Sequence, residues 1–176
     1  MISINGKQIL WLFKIALLSF IIVICQLLII PHLSIYDAVP SLALTFITLI
    51  SLAFGLEAGI PVGLSMAIIY HNFLYKPTFL FDWCIVPLIA AFIKPALSLE
   101  REAIWIIQVG LCSFLIELIN LLFMLLSHQS LELDGNSIGF SLANLFLIPL
   151  MNIILAVPVL ALIKKTFSIS DFDYSK

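Results

Sequence analysis

The sequence predicts an all-α, polytopic integral membrane protein of about six transmembrane helices, with the N- and C-termini cytoplasmic. Three observations predict it. The 176-residue chain is 63% hydrophobic and only 10% charged, with a mean hydropathy of +1.23, where soluble domains carry roughly a quarter charged residues. Apolar stretches follow one another, separated by proline and polar residues. Lysine and arginine alternate in frequency from one connection to the next. The net charge of −2 is spread along the chain, with no basic block of the kind that binds nucleic acid.

The apolar stretches run approximately over 9–30, 39–54, 60–74, 84–93 with its flanks, 104–126 and 138–163. The first, fifth and sixth are long enough to cross a hydrocarbon core about 30 Å thick. Those at 60–74 and 84–93 are short, and are expected to tilt, thin the bilayer or begin as re-entrant segments. Pro61, Pro87, Pro149 and Pro158 fall within or at the rim of these stretches, which neighbouring helices tolerate by satisfying the freed carbonyls. The first stretch is too long for the apolar part of a signal peptide. It ends in IIPHLSIYD, without a small-x-small cleavage site, so it is expected to remain as the first helix.

With the N-terminus inside, Lys7, Lys14, Lys94, Arg101, Lys164, Lys165 and Lys176 fall on the cytoplasmic side, and Lys76 alone falls outside. A five-span arrangement would export one set of terminal lysines, so the positive-inside rule favours six. One transmembrane helical domain is expected over 1–165, followed by a short polar cytoplasmic tail over 166–176. Trp11, Trp83 and Trp105 sit near the ends of stretches, as interfacial anchors do.

Polar residues within these stretches form seams. On the fifth, Gly110, Ser113, Glu117, Asn120, Met124 and Ser127 recur at steps of three and four, which a helix gathers on one side. The second carries Ser41, Thr45, Thr48, Ser51 and Gly55, and the third Gly55, Gly59, Gly63, Ala67 and then His71. Small residues at such spacing permit close helix contact. Pro61 and a turn expected around Glu57 interrupt that last series. Counted inward, His71, Glu117 and Asn152 lie near mid-membrane, roughly 16–20 Å deep at about 1.5 Å per residue, so a contact among the three is one expectation.

Glu117 poses the sharpest chemical question. A charged carboxylate at the bilayer centre costs about 2.5–3.5 kcal/mol, so it must be paired, protonated or open to water. A neutral Glu117 donating a hydrogen bond on a helix–helix seam is the expectation. Four roles stay open: a proton or cation relay, a ligand site, a clamp on a partner helix, and an internal bond. Glu100, Arg101 and Glu102 make a compact charged turn before the fifth stretch, either a solvated loop or a docking point for a cytoplasmic partner.

Other chemistry is not encoded. Cys25, Cys84 and Cys112 are widely spaced and read as packing residues. There is no H-E-x-x-H, no G-x-S-x-G, no phosphate-binding loop and no pair of intramembrane aspartates. The connections are too short for a catalytic domain. No enzyme, cofactor or metal site is expected.

The first stretch ends in QLLIIP, the second opens PSLALTFITLISLAFG, and the third is the glycine-spaced GIPVGLSMAIIYHNFL. The fifth holds a mid-helix acid in FLIELINLLF, and the sixth runs from SLANLFLIPL to IKK. In order, spacing and total length this resembles the MreD family of bacterial rod-shape-determining membrane proteins, over roughly 26–165. The resemblance implies a non-enzymatic scaffold of the cell-elongation machinery in the inner membrane. It would stand beside MreC, with the actin-like MreB filament, RodA and a class B penicillin-binding transpeptidase nearby. Glu117 then stands at the place of the family's acid in the fifth span. Where the family has an aspartate late in the third span, this chain has His71 and Asn72. The chain is also similar in size and hydropathy to the substrate-binding components of energy-coupling-factor vitamin transporters. Those would use Glu117, His71 and the outer loops to bind a vitamin or metal. Their A-x-x-x-A contact on the first helix is lacking here, since Phe20 stands four residues after Ala16.

Overall fold

The structure, a computed structural model, describes residues 6–36, 38–74, 78–93, 102–127 and 135–167. Six α-helices occupy almost all of them: α1 (Gly6–Leu28), α2 (Leu42–Phe54), α3 (Leu56–Leu74), α4 (Thr78–Ile93), α5 (Glu102–Ser127) and α6 (Gly135–Phe167). No strand occurs among the described residues. Three apolar stretches are long enough to cross a membrane: Ile9–Leu28 in α1, Ala103–Phe123 in α5 and Leu142–Phe167 in α6. They mark the chain as an all-helical membrane protein. Leu42–Phe54 and Asp82–Ile93 are shorter apolar helices.

The helix ends follow local chemistry. Past α1, Pro31 opens a short 3₁₀ turn, Ile30–Leu33, as expected of a residue that cannot donate to the preceding ladder. A tight reversal follows, with Ile35 and Ala38 exchanging backbone hydrogen bonds of 3.1 and 2.9 Å. Between α2 and α3 there is one residue, Gly55, at φ +83°, a conformation that glycine adopts without steric cost. The break therefore comes at Gly55 and not around Glu57, which is already helical, as is Pro61. α4 begins earlier than the apolar stretch suggests, at Thr78. α6 runs through Pro149 and Pro158 and continues to Phe167, so Thr166 and Phe167 belong to the helical domain. The rest of the expected tail lies outside the described residues.

The organising element is α2. Every residue from Leu42 to Leu52 is buried, and α2 packs against α1, α3, α4, α5 and α6. A helix that is apolar all round belongs in an interior, and 13 residues give it only about 20 Å of length. Its hydroxyls donate within the helix itself. Thr45, Thr48 and Ser51 donate to the carbonyls of Ser41, Leu44 and Ile47 at 3.0, 2.9 and 2.6 Å. Back-bonding of this kind turns polar residues into compact ones and lets other helices close on every side.

Glycines set the closest approaches. A Cβ on Gly59 would collide with the Ser51 side chain and press on Pro87; one on Gly63 would lie 2.5 Å from the Trp83 carbonyl oxygen. The small face of α3 is thus wedged between α2 and α4. Tyr70 and Trp83 extend that seam, their ring centroids 4.9 Å apart. At one end of the bundle Trp11, Phe54 and Phe167 form a ring cluster, with centroids 5.2 Å (Trp11–Phe54), 5.1 Å (Phe54–Phe167) and 6.4 Å (Trp11–Phe167) apart. The start of α1 and the close of α6 therefore lie at the same end.

Candidate functional site

The polar residues within the bundle fall into two groups. The first gathers at the start of α2. A helix leaves its opening amides without partners, and in an apolar interior water cannot supply them. Here side chains do. Ser41 caps the helix, its Oγ accepting from Leu44 N at 3.1 Å. Gln26 of α1 accepts from Ala43 N through Oε1 at 3.2 Å and donates through Nε2 to Pro40 O at 3.4 Å. Asn152 of α6 accepts from Ser41 N through Oδ1 at 2.7 Å and donates through Nδ2 to Ser113 Oγ of α5 at 2.6 Å. Gln26, Ser113 and Asn152 are all buried. Four helices are tied together at this one terminus.

The second group lies between α4 and α5. Asn120 Nδ2 donates to Asp82 Oδ2 at 3.4 Å, and the carboxyl of Asp82 also acts electrostatically on Glu117. Glu117 makes no hydrogen bond among the described residues. No hydrogen bond joins Glu117 to His71 or Asn152 among the described residues: Asn152 bonds to Ser41 and Ser113, and His71 Nδ1 has no hydrogen-bond partner there. Glu117 thus has the acid Asp82 within electrostatic reach and forms no hydrogen-bonded fastener among the described residues.

The seam read on α5 is therefore one line in sequence that meets two neighbours. Gly110 abuts Ile153 of α6, where an added Cβ would come within 2.6 Å of Cδ1. Ser113 bonds to α6, while Glu117 and Asn120 turn to α4. Gly59 and Gly63 are likewise occupied by internal contacts, and Gly55 serves the turn. His71 is half-buried. Of the charged turn, Glu102 begins α5, and Glu100 and Arg101 lie outside the described residues.

Two residues escaped the sequence reading. Asp82 precedes the apolar stretch at 84–93 yet lies inside α4; an isolated acid followed by WCIVPLIAAFI is a signal that a helix begins before it. Gln108 is fully buried, and neither its Nε2 nor its Oε1 has a hydrogen-bond partner among the described residues. A lone glutamine in IWIIQVGLC was visible, but nothing in the sequence marks it as unpartnered. Cys25, Cys84 and Cys112 are free, and Cys112 is buried, its thiol against Thr48. No group of three or more His, Cys, Asp or Glu side chains able to hold a metal occurs among the described residues. Compared with family models, curated proteins and solved structures, the chain matches none.

Proposed function

We propose that the protein is a non-enzymatic, multi-pass scaffold of the bacterial cell-elongation and peptidoglycan-synthesis machinery. On this reading it sits in the inner membrane with both termini cytoplasmic. It works beside MreC and, through it, with MreB, RodA and a class B penicillin-binding transpeptidase. The reading starts from the ordered motifs that resemble the MreD family.

One structural observation carries it furthest. The centre of the bundle is filled by α2, buried from Leu42 to Leu52, and Gln26, Ser113 and Asn152 are spent on fixing that helix in place. Such an interior suits a rigid body that presents its outer helix faces to partners. A substrate-capturing component needs polar groups converging on a ligand-sized space, whereas Gln26, Ser41, Ser113 and Asn152 converge on a helix terminus.

The test is co-purification of the tagged protein from its native host in mild detergent, read by mass spectrometry. Recovery of MreC and wall-synthesis enzymes is the expected result. Recovery of paired cytoplasmic ATPases with a membrane coupling subunit would overturn the scaffold and turn attention to Asp82 and Glu117 as ligand groups.

A further inference from the structure

Where α1 begins and α6 ends, the bundle collects Lys14, Lys164 and Lys165. Lys14 Nζ donates to Thr166 O at 3.1 Å, which joins the first helix to the last and uses one of the three ammonium N–H groups. Lys165, the neighbour of Thr166, is exposed, and Lys164 beside it is half-buried. The ring cluster of Trp11, Phe54 and Phe167 lies at this same corner. Glu57, shortly past Phe54, is exposed, and neither it nor Lys14 nor Lys165 forms an ion pair among the described residues.

Depth makes the corner specific. The apolar stretch of α1 begins at Ile9, so Lys14 stands about 7 Å further along the helix axis. A lysine at that level lies below the aqueous boundary and reaches back toward it along its own stem, to the layer that lipid phosphates occupy. Its bond to Thr166 O answers the partial negative charge of the α6 C-terminus, and its remaining N–H groups stay available. Leu10, Phe13 and Leu17 of α1 and Leu162 of α6 are exposed alongside, as acyl chains require.

We propose that this corner binds the headgroup of an anionic phospholipid, the phosphate lying between Lys14 and Lys165 and the acyl chains running along the exposed apolar residues of α1 and α6. A zwitterionic headgroup brings its own ammonium, which competes with both lysines; an anionic one without an amine does not. The site is independent of the machinery that the protein serves.

The experiment titrates the full-length protein in mild detergent with phosphatidylglycerol or phosphatidylcholine of matched chains and reads bound lipid by native mass spectrometry. The expected result is preferential retention of phosphatidylglycerol, with Lys165→Gln lowering its affinity about fivefold and Lys14→Arg preserving it. Equal retention of the two lipids would overturn the site, as would a preference untouched in both Lys165→Gln and Lys14→Gln. Lys14→Gln removes an interhelical bond; if it fails to fold, the exposed Lys165 decides alone. Millimolar inorganic phosphate is added as a competitor. Failure to displace the lipid supports a lipid site, and full displacement would reassign the corner to free phosphate.

Discussion

Asn152 and Ser113 meet across the α5–α6 interface with 2.6 Å between Nδ2 and Oγ, while the Asn152 carbonyl oxygen holds the first free amide of α2 at Ser41. One side chain thus answers both a neighbouring helix and an opening backbone amide of α2. Asn152→Leu leaves Ser41 N without its acceptor and is expected to destabilise the protein by about 1–3 kcal/mol. Ser113→Ala removes only the side-chain bond and should cost about 0.6 kcal/mol, the average found for interhelical bonds in membranes. Thermal unfolding in mild detergent reads both. Equal losses would mean that the Ser41 contact contributes nothing.

Gln26→Leu is expected to resemble Asn152→Leu, since it withdraws the acceptor from Ala43 N and the donor from Pro40 O together. The predicted cost is about 1–3 kcal/mol, with amide exchange accelerated first at the start of α2. Global unfolding with no local change in exchange would contradict the assigned role.

Gln108 should behave in the opposite way. Both of its side-chain polar atoms are buried without partners, a condition that costs about 1–3 kcal/mol. Gln108→Met keeps the length and removes the amide, so the variant is expected to melt at a higher temperature than the parent. A lower melting temperature would show that the amide is satisfied in the membrane.

Gly63→Ala places a methyl group against the Trp83 backbone carbonyl, which cannot rotate away. Overpacking of this kind costs about 1–3 kcal/mol, and Gly63→Leu should abolish folded yield. Size-exclusion profiles and melting temperatures check the series. Tolerance of leucine would place α3 and α4 further apart.

Asp82 acts electrostatically on Glu117, so neutralising either group removes a like-charge repulsion. Glu117→Gln and Asp82→Asn are each expected to hold or raise stability. The double variant should gain less than the sum, by about 0.5 kcal/mol or more, as residues in contact do. A loss exceeding 1 kcal/mol in Glu117→Gln would mean that an ionised carboxylate is needed there, whereas a loss confined to Glu117→Leu would restore the fastener role, since glutamine keeps the hydrogen-bonding capacity.

Much of this was legible in the residues. The small spacing of Gly59, Gly63 and Ala67 announced a close helix contact, and Gly59 and Gly63 make one with α2 and α4. Asn152 and Ser113 were visible as polar positions in apolar surroundings, and they bond to each other. The partner of Glu117 was not visible, because Asp82 sits in an aromatic-rich segment that resembles a connection until the start of α4 is known. Lys14 looked like one more lysine on the positive side; its bond to Thr166 O needed the two chain ends to be brought together.

The sequence by itself determined that this chain is built from six apolar helical segments, though not where α4 begins. That follows from local rules: in hydrocarbon a backbone must satisfy its own polar groups, and proline, glycine and polar residues punctuate the result. Only the tertiary structure decided that the second helix becomes the centre, and that the α5 seam divides between α6 and α4. It also decided that Glu117 has an acid within electrostatic reach and that Gln108 has no hydrogen-bond partner among the described residues. A periodic pattern shows which side of a helix is polar, but the neighbour on that side is set by how helices distant in the chain pack together.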